Sequence, residues 1–134
     1  MLLWTSALSC YDLRQRRLPN CLTLPGAVIV LVVALATGRG VPAISGAAVL
    51  AGAYLLVHLA APAAMGAGDV KLALGLGALT GCFGLDVWLL AALGAPMLTA
   101  LAGLIAWIGW SARTVPHGPS MCVASAAALG LAVF

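Results

Sequence analysis

Charged side chains make up only 7% of this sequence, hydrophobic ones make up 64%, and the mean hydropathy is +1.18. A soluble domain of this length carries an apolar share of about half, so a water-soluble globule is excluded and an integral membrane protein is expected. Cys-x-x-Cys pairs are also missing. Cys10, Cys21, Cys82 and Cys122 are scattered and His58 and His117 lie far apart, a spacing that argues against a zinc site or any other metal and leaves the sulfurs as small apolar packing groups. No basic tract interleaved with aromatics is present, so no nucleic-acid partner is expected. Met1 to Leu3 carries no charged n-region and no cleavage pattern follows, so the start is not read as a removable signal peptide. There is no internal repeat and no low-complexity linker, and we expect a single integral-membrane domain over residues 1–134.

What remains is a series of apolar runs. Residues 1–11, 21–37, 43–62, 70–84, 88–110 and 119–134 read as six spans of an all-α, polytopic membrane bundle with short connections. The first is short: eleven helical residues rise ~16 Å against a hydrocarbon core of ~30 Å. Pro25 falls near the first turn of the second span, where a missing N–H costs least. Gly38 to Pro42 and residues 63–69 read as breaks, and Leu85 to Val87 as a minimal loop. Small residues in the third span (Ser45, Gly46, Ala47, Gly52, Ala53) and glycines in the fourth (Gly75, Gly77, Gly81, Gly84) suit close helix packing. Trp88 and Trp110 bracket the fifth span, as interfacial tryptophans do. His58 is expected to be hydrogen-bonded to a neighbouring helix or to face the interface, outside any site.

The few charges orient the bundle. Arg14, Arg16, Arg17, Lys71 and Arg113 adjoin the odd connections, and Arg39 alone adjoins the even ones. By the positive-inside rule the odd connections are cytoplasmic and both termini lie outside. Asp12 and Asp69 then share the cytoplasmic face, with Asp86 opposite.

In so apolar a chain a retained acid is a functional candidate. Two carboxylates brought together in a poorly solvated site do not both ionise cheaply, so one stays ionised and activates water while the other, protonated, acts as an acid. Glycines beside Asp69, at Gly66 and Gly68, would let the backbone turn sharply and approach a peptide closely. A Gly-x-Gly-Asp tetrapeptide alone is a weak signal, since an Asp in a glycine loop is ordinarily a turn or cap residue. Lys71 is two residues beyond Asp69, a spacing that does not favour a direct pair on a helix; contact with substrate stays open.

Three stretches in order change the weight of these residues. Asp12-Leu13-Arg14-Gln15-Arg16-Arg17-Leu18-Pro19-Asn20, Met65-Gly66-Ala67-Gly68-Asp69-Val70-Lys71-Leu72 and Val115-Pro116-His117-Gly118-Pro119 resemble the successive signatures of the prepilin peptidases, also called type IV leader peptidases. The resemblance implies an aspartic endopeptidase of the cytoplasmic membrane that removes the basic leader from type IV prepilins or pseudopilins at the cytoplasmic face, usually after a glycine. It implies Asp12 and Asp69 as the catalytic pair, Gly66 and Gly68 as shaping the second motif, and Pro19, Asn20 and Lys71 as supporting positions. No cofactor is implied. Larger members carry an N-terminal region with paired Cys-x-x-Cys motifs and also methylate the new pilin N-terminus. This sequence is similar to the minimal, peptidase-only form, so N-methyltransferase activity is not expected. The competing readings are a small proton- or cation-coupled transporter subunit and an inactive structural homologue. No span places a carboxylate near its middle, which disfavours the first; intact Asp12 and Asp69 disfavour the second.

Overall fold

The computed structural model of the chain describes residues 2–15, 20–63, 65–109 and 117–134. Among the described residues all regular structure is helical: α1 (Leu2–Gln15), α2 (Asn20–Ala36), α3 (Gly40–Ala60), α4 (Ala67–Gly81), α5 (Leu85–Ile108) and α6 (Gly118–Val133). Two of these, α3 and α5, are long and apolar enough to cross a membrane, and α2 and α6 are shorter apolar helices.

Each expected span has its helix, but α3, α4 and α5 begin three residues before the expected starts. The cause is the same in all three. Pro42, Gly68 and Asp86 were read as belonging to breaks, yet each lies in a first turn, where the backbone N–H groups have no helical acceptor to lose. Pro25 departs the other way. With α2 starting at Asn20 it falls in the second turn, and the carbonyl of Cys21 is left without its helical donor.

α4 is the central element. It touches α2, α3, α5 and α6, and Leu72, Ala73 and every residue from Gly75 to Gly81 are buried. Its tightest seam is with antiparallel α3, where a methyl at Gly77 would lie 2.6 Å from the Gly46 carbonyl oxygen and one at Gly81 2.5 Å from that of Pro42. Glycine is required here by proximity, because the two backbones meet without side chains between them. The Trp88 indole donates to the Gly46 carbonyl at 3.0 Å and packs half-buried against the core, so this tryptophan locks the seam. Trp110 lies outside the described residues. On the other side of α4 the Trp4 indole fills a slot left by Gly26 and Gly75 and donates to the Leu22 carbonyl at 2.9 Å. That contact anchors α1, which otherwise rests chiefly on α6.

The outward faces are apolar. Val28, Ile29, Val32 and Val33 on α2, Val49, Leu56 and Leu59 on α3, and Leu90, Leu93, Met97 and Ile105 on α5 are all exposed. Soluble monomers rarely leave apolar surface on this scale in contact with water. The cysteines divide: Cys122 is buried in the core as expected, Cys82 is intermediate, and Cys10 and Cys21 are exposed. For those two the expectation of a packing role does not hold.

Candidate active site

The two ends of the bundle differ in chemistry. At one end Arg39 donates from Nη1 to the Cys82 carbonyl at 3.0 Å, joining the α2–α3 turn to the α4–α5 turn, with Asp86 exposed nearby in the sequence. At the other end lie Asn20, Asp69, Lys71 and His117. Lys71 Nζ donates to Asn20 Oδ1 at 2.7 Å, which pins the start of α2 to the first turns of α4. Two of the residues expected to support the site are thereby brought together. Pro19 lies outside the described residues.

Asp69 is the third residue of α4, after the N-cap Gly66 and then Ala67 and Gly68. Its N–H donates to the Gly66 carbonyl at 3.1 Å. A negative charge in a first turn is favoured by the helix dipole, by about 0.3–1 kcal/mol at an exposed site. The expected sharp glycine turn is absent. Gly66 has φ −77° and ψ 152°, an extended conformation open to any residue, and the glycines with positive φ are Gly38 and Gly84 at the opposite end. Nor is glycine needed there for space, since a methyl at Gly66 would meet nothing nearer than the Gly68 nitrogen at 4.0 Å. α4 begins at Ala67, inside the expected break over residues 63–69, so Asp69 stands on a helix.

The register of the α3–α4 seam fixes what stands across from it. Pro42 meets Gly81 and Gly46 meets Gly77. Beyond the end of the seam His58 donates from Nδ1 to the Met65 carbonyl at 2.7 Å. Each step of four residues up one helix of this pair is matched by four down the other. Leu50 then falls opposite Ala73, both in the same core cluster, and Tyr54 falls opposite Asp69. The carboxylate acts electrostatically on Tyr54. His58 is hydrogen-bonded to the connection that leads into Gly66 and not, as expected, to a neighbouring helix.

Tyr54 and Thr99, which drew no attention in the sequence, belong to a polar chain at this end. The Thr99 hydroxyl donates to the Ala95 carbonyl at 3.0 Å, so its oxygen accepts from His117 Nδ1–H. His117 Nε2 is then the acceptor for the Tyr54 hydroxyl at 2.9 Å. Burial pushes the His117 imidazole below its ordinary value of 6.5, in keeping with the neutral form this network needs. The signal available in the sequence was a tyrosine inside an apolar span, whose hydroxyl requires a partner when buried. Among the described residues no three of His, Cys, Asp and Glu converge in the manner of a metal site.

Asp12 lies on α1, eight residues after the anchored Trp4 and so ~12 Å further along the helix. Gln15 and Asn20 are five residues apart, a stretch that spans at most ~18 Å, so the C-terminal end of α1 is tethered to the end of the bundle that holds Asn20, Lys71 and Asp69. No curated protein and no solved structure is matched by the chain. The model of the type IV leader peptidase family matches residues 1–134, the full length of the sequence. With a family model matched over its whole length, the chain belongs to the type IV leader peptidase family.

Proposed function

We propose that this protein is an aspartic endopeptidase of the cytoplasmic membrane. It cuts the leader peptide from type IV prepilins or pseudopilins at the cytoplasmic face, with Asp12 and Asp69 as the catalytic pair. The observation that carries the reading is the position of Asp69. It is half-buried, faces Tyr54 across the seam, and sits at the end of the bundle to which α1 is tethered by a short connection. Membership of a peptidase family supplies the reaction class.

The chemistry follows from two carboxyl groups sharing one proton. The ionised one takes a proton from water as the water oxygen attacks the scissile carbonyl carbon. The protonated one donates to the carbonyl oxygen, stabilising the tetrahedral intermediate. When the C–N bond breaks, the proton taken from water passes to the leaving amine, the carboxylate that gave its proton to the carbonyl oxygen takes one back from a hydroxyl of the collapsing intermediate, and the pair returns to its starting state. Each turnover consumes one water, and no cofactor takes part. The exposed apolar faces of α2, α3 and α5 are the surfaces a bilayer would cover, with all six helices traversing it, both termini outside, and the Lys71 end in the cytoplasm.

Co-expression of a candidate prepilin with wild type, Asp12→Asn, Asp69→Asn and Asp86→Asn tests this, with leader removal followed by mass spectrometry. Cleavage is expected with wild type and Asp86→Asn and lost with the other two. Cleavage at the wild-type rate by Asp12→Asn or Asp69→Asn would remove the assignment.

A further inference from the structure

The Tyr54 phenol and the His117 imidazole lie at the Asp69 end yet take no part in the proton transfers just described. His117 occupies the N-cap position of α6 but makes no side-chain cap for its own helix. Its ring instead turns inward, with its centroid 5.5 Å from that of Tyr54 and the planes tilted by 41°. The resulting chain runs in one sense: Tyr54 O–H to His117 Nε2, Nδ1–H to Thr99, and Thr99 O–H to the Ala95 carbonyl. It joins α3, α6 and α5, three of the four helices that α4 touches.

Tyr54 is only 8% exposed, so if its bond to His117 is broken little water is available to replace it. Tyr54 is also the residue that the seam register sets across from Asp69. Moving the phenol therefore moves the wall opposite the acid, and moving His117 moves the entrance of α6, where the third sequence signature lies.

We propose that Tyr54 and His117 are positioning residues of the peptidase site: their hydrogen-bonded chain to Thr99 fixes the entrance of α6 against the wall facing Asp69 and so sets the gap in which the scissile peptide lies. The inference rests on the peptidase reading. Neither side chain needs to touch the substrate. Misplacement of a reacting group by ~1 Å costs about 10²-fold in rate, so the effect of loosening the chain falls on turnover more than on binding.

The test is steady-state cleavage of a purified prepilin by wild type, Tyr54→Phe, His117→Leu, His117→Gln and the Tyr54→Phe/His117→Leu double variant. Rates are normalised to folded, monodisperse protein. Tyr54→Phe removes one oxygen atom and is the variant least able to disturb folding. Tyr54→Phe and His117→Leu are expected to lower kcat by about tenfold or more, with KM within about twofold. His117→Gln, whose amide offers an acceptor and a donor side by side, should recover most of the loss. The double variant should be no slower than the worse single one, since both cut the same chain. A wild-type kcat in Tyr54→Phe, losses that multiply in the double variant, or His117→Gln as slow as His117→Leu would each overturn the proposal. Active wild type and inactive Asp69→Asn alongside such a result would leave the peptidase reading standing and remove only the positioning role. A wild-type protein that leaves the prepilin intact would remove both.

Discussion

At the scale of single residues, the same local setting serves different ends. Asp69 and Asp86 both occupy first turns, of α4 and α5, and both gain from the helix dipole. That gain therefore explains neither as a catalyst; what separates them is that Asp69 is half-buried against a polar wall and Asp86 is exposed. Lys71 shows how far spacing alone could be pushed. Its position two residues after Asp69 disfavoured a pair, but nothing in the sequence pointed across 51 positions to Asn20. Because this bond is exposed, a double-mutant cycle on Lys71→Met and Asn20→Ala should give a coupling of only about 0.5 kcal/mol, measured by thermal denaturation in detergent. A coupling of zero would detach α2 from this residue. His117 makes a pH prediction. Its folded-state value lies below 6.5, so as pH falls the unfolded chain takes up the proton first. The stability it contributes is complete above 6.5 and is lost as pH falls through the folded-state value. The melting temperature should decline on acidification below 6.5, and His117→Gln should flatten that decline; an unchanged slope in the variant would contradict the buried neutral ring.

At the scale of elements, the apolar runs made all six helices legible, and the glycines of the third and fourth runs correctly announced a close seam. Their starts were misjudged because Pro and Gly were taken as breakers wherever they stood, although a first turn tolerates both. Which glycines touch was not legible either, since that depends on the antiparallel register and not on composition. The register gives a sharp contrast. Gly77→Ala would drive a methyl to 2.6 Å from the Gly46 carbonyl and 3.0 Å from the Ala47 Cα, whereas a methyl at Gly52, on the same helix pair, meets nothing within 4 Å. Gly77→Ala should cost about 1–3 kcal/mol through overpacking, read as a lower melting temperature in detergent, while Gly52→Ala should be neutral or slightly stabilising. Equal effects from the two would mean that α3 and α4 are not this close.

At the scale of the whole molecule, two of the basic residues lie at opposite ends of the fold: Lys71 bonds Asn20, and Arg39 bonds the turn at Cys82. In a background lacking the native cysteines, Lys71→Cys and Arg39→Cys should react with a membrane-impermeant maleimide from opposite sides, in inverted and right-side-out vesicles respectively. Labelling of both from one side would overturn the proposed topology. The way in which α1 is anchored was the least legible part, since its anchor, Trp4 between Gly26 and Gly75, is a contact among three helices that no local pattern encodes. The seam register has a further consequence for the substrate. Asp69 is level with Tyr54, six residues before the end of α3 at Ala60, so the acid lies ~9 Å below the rim of that helix. Extended chain covers that depth in about three residues, at ~3.3 Å each, where a helix would need six. On the proposed peptidase reading, a leader that enters extended reaches the acid with about half as many residues as a helical one, and substrates are expected to sort by how readily the few residues beside their scissile bond give up helical structure.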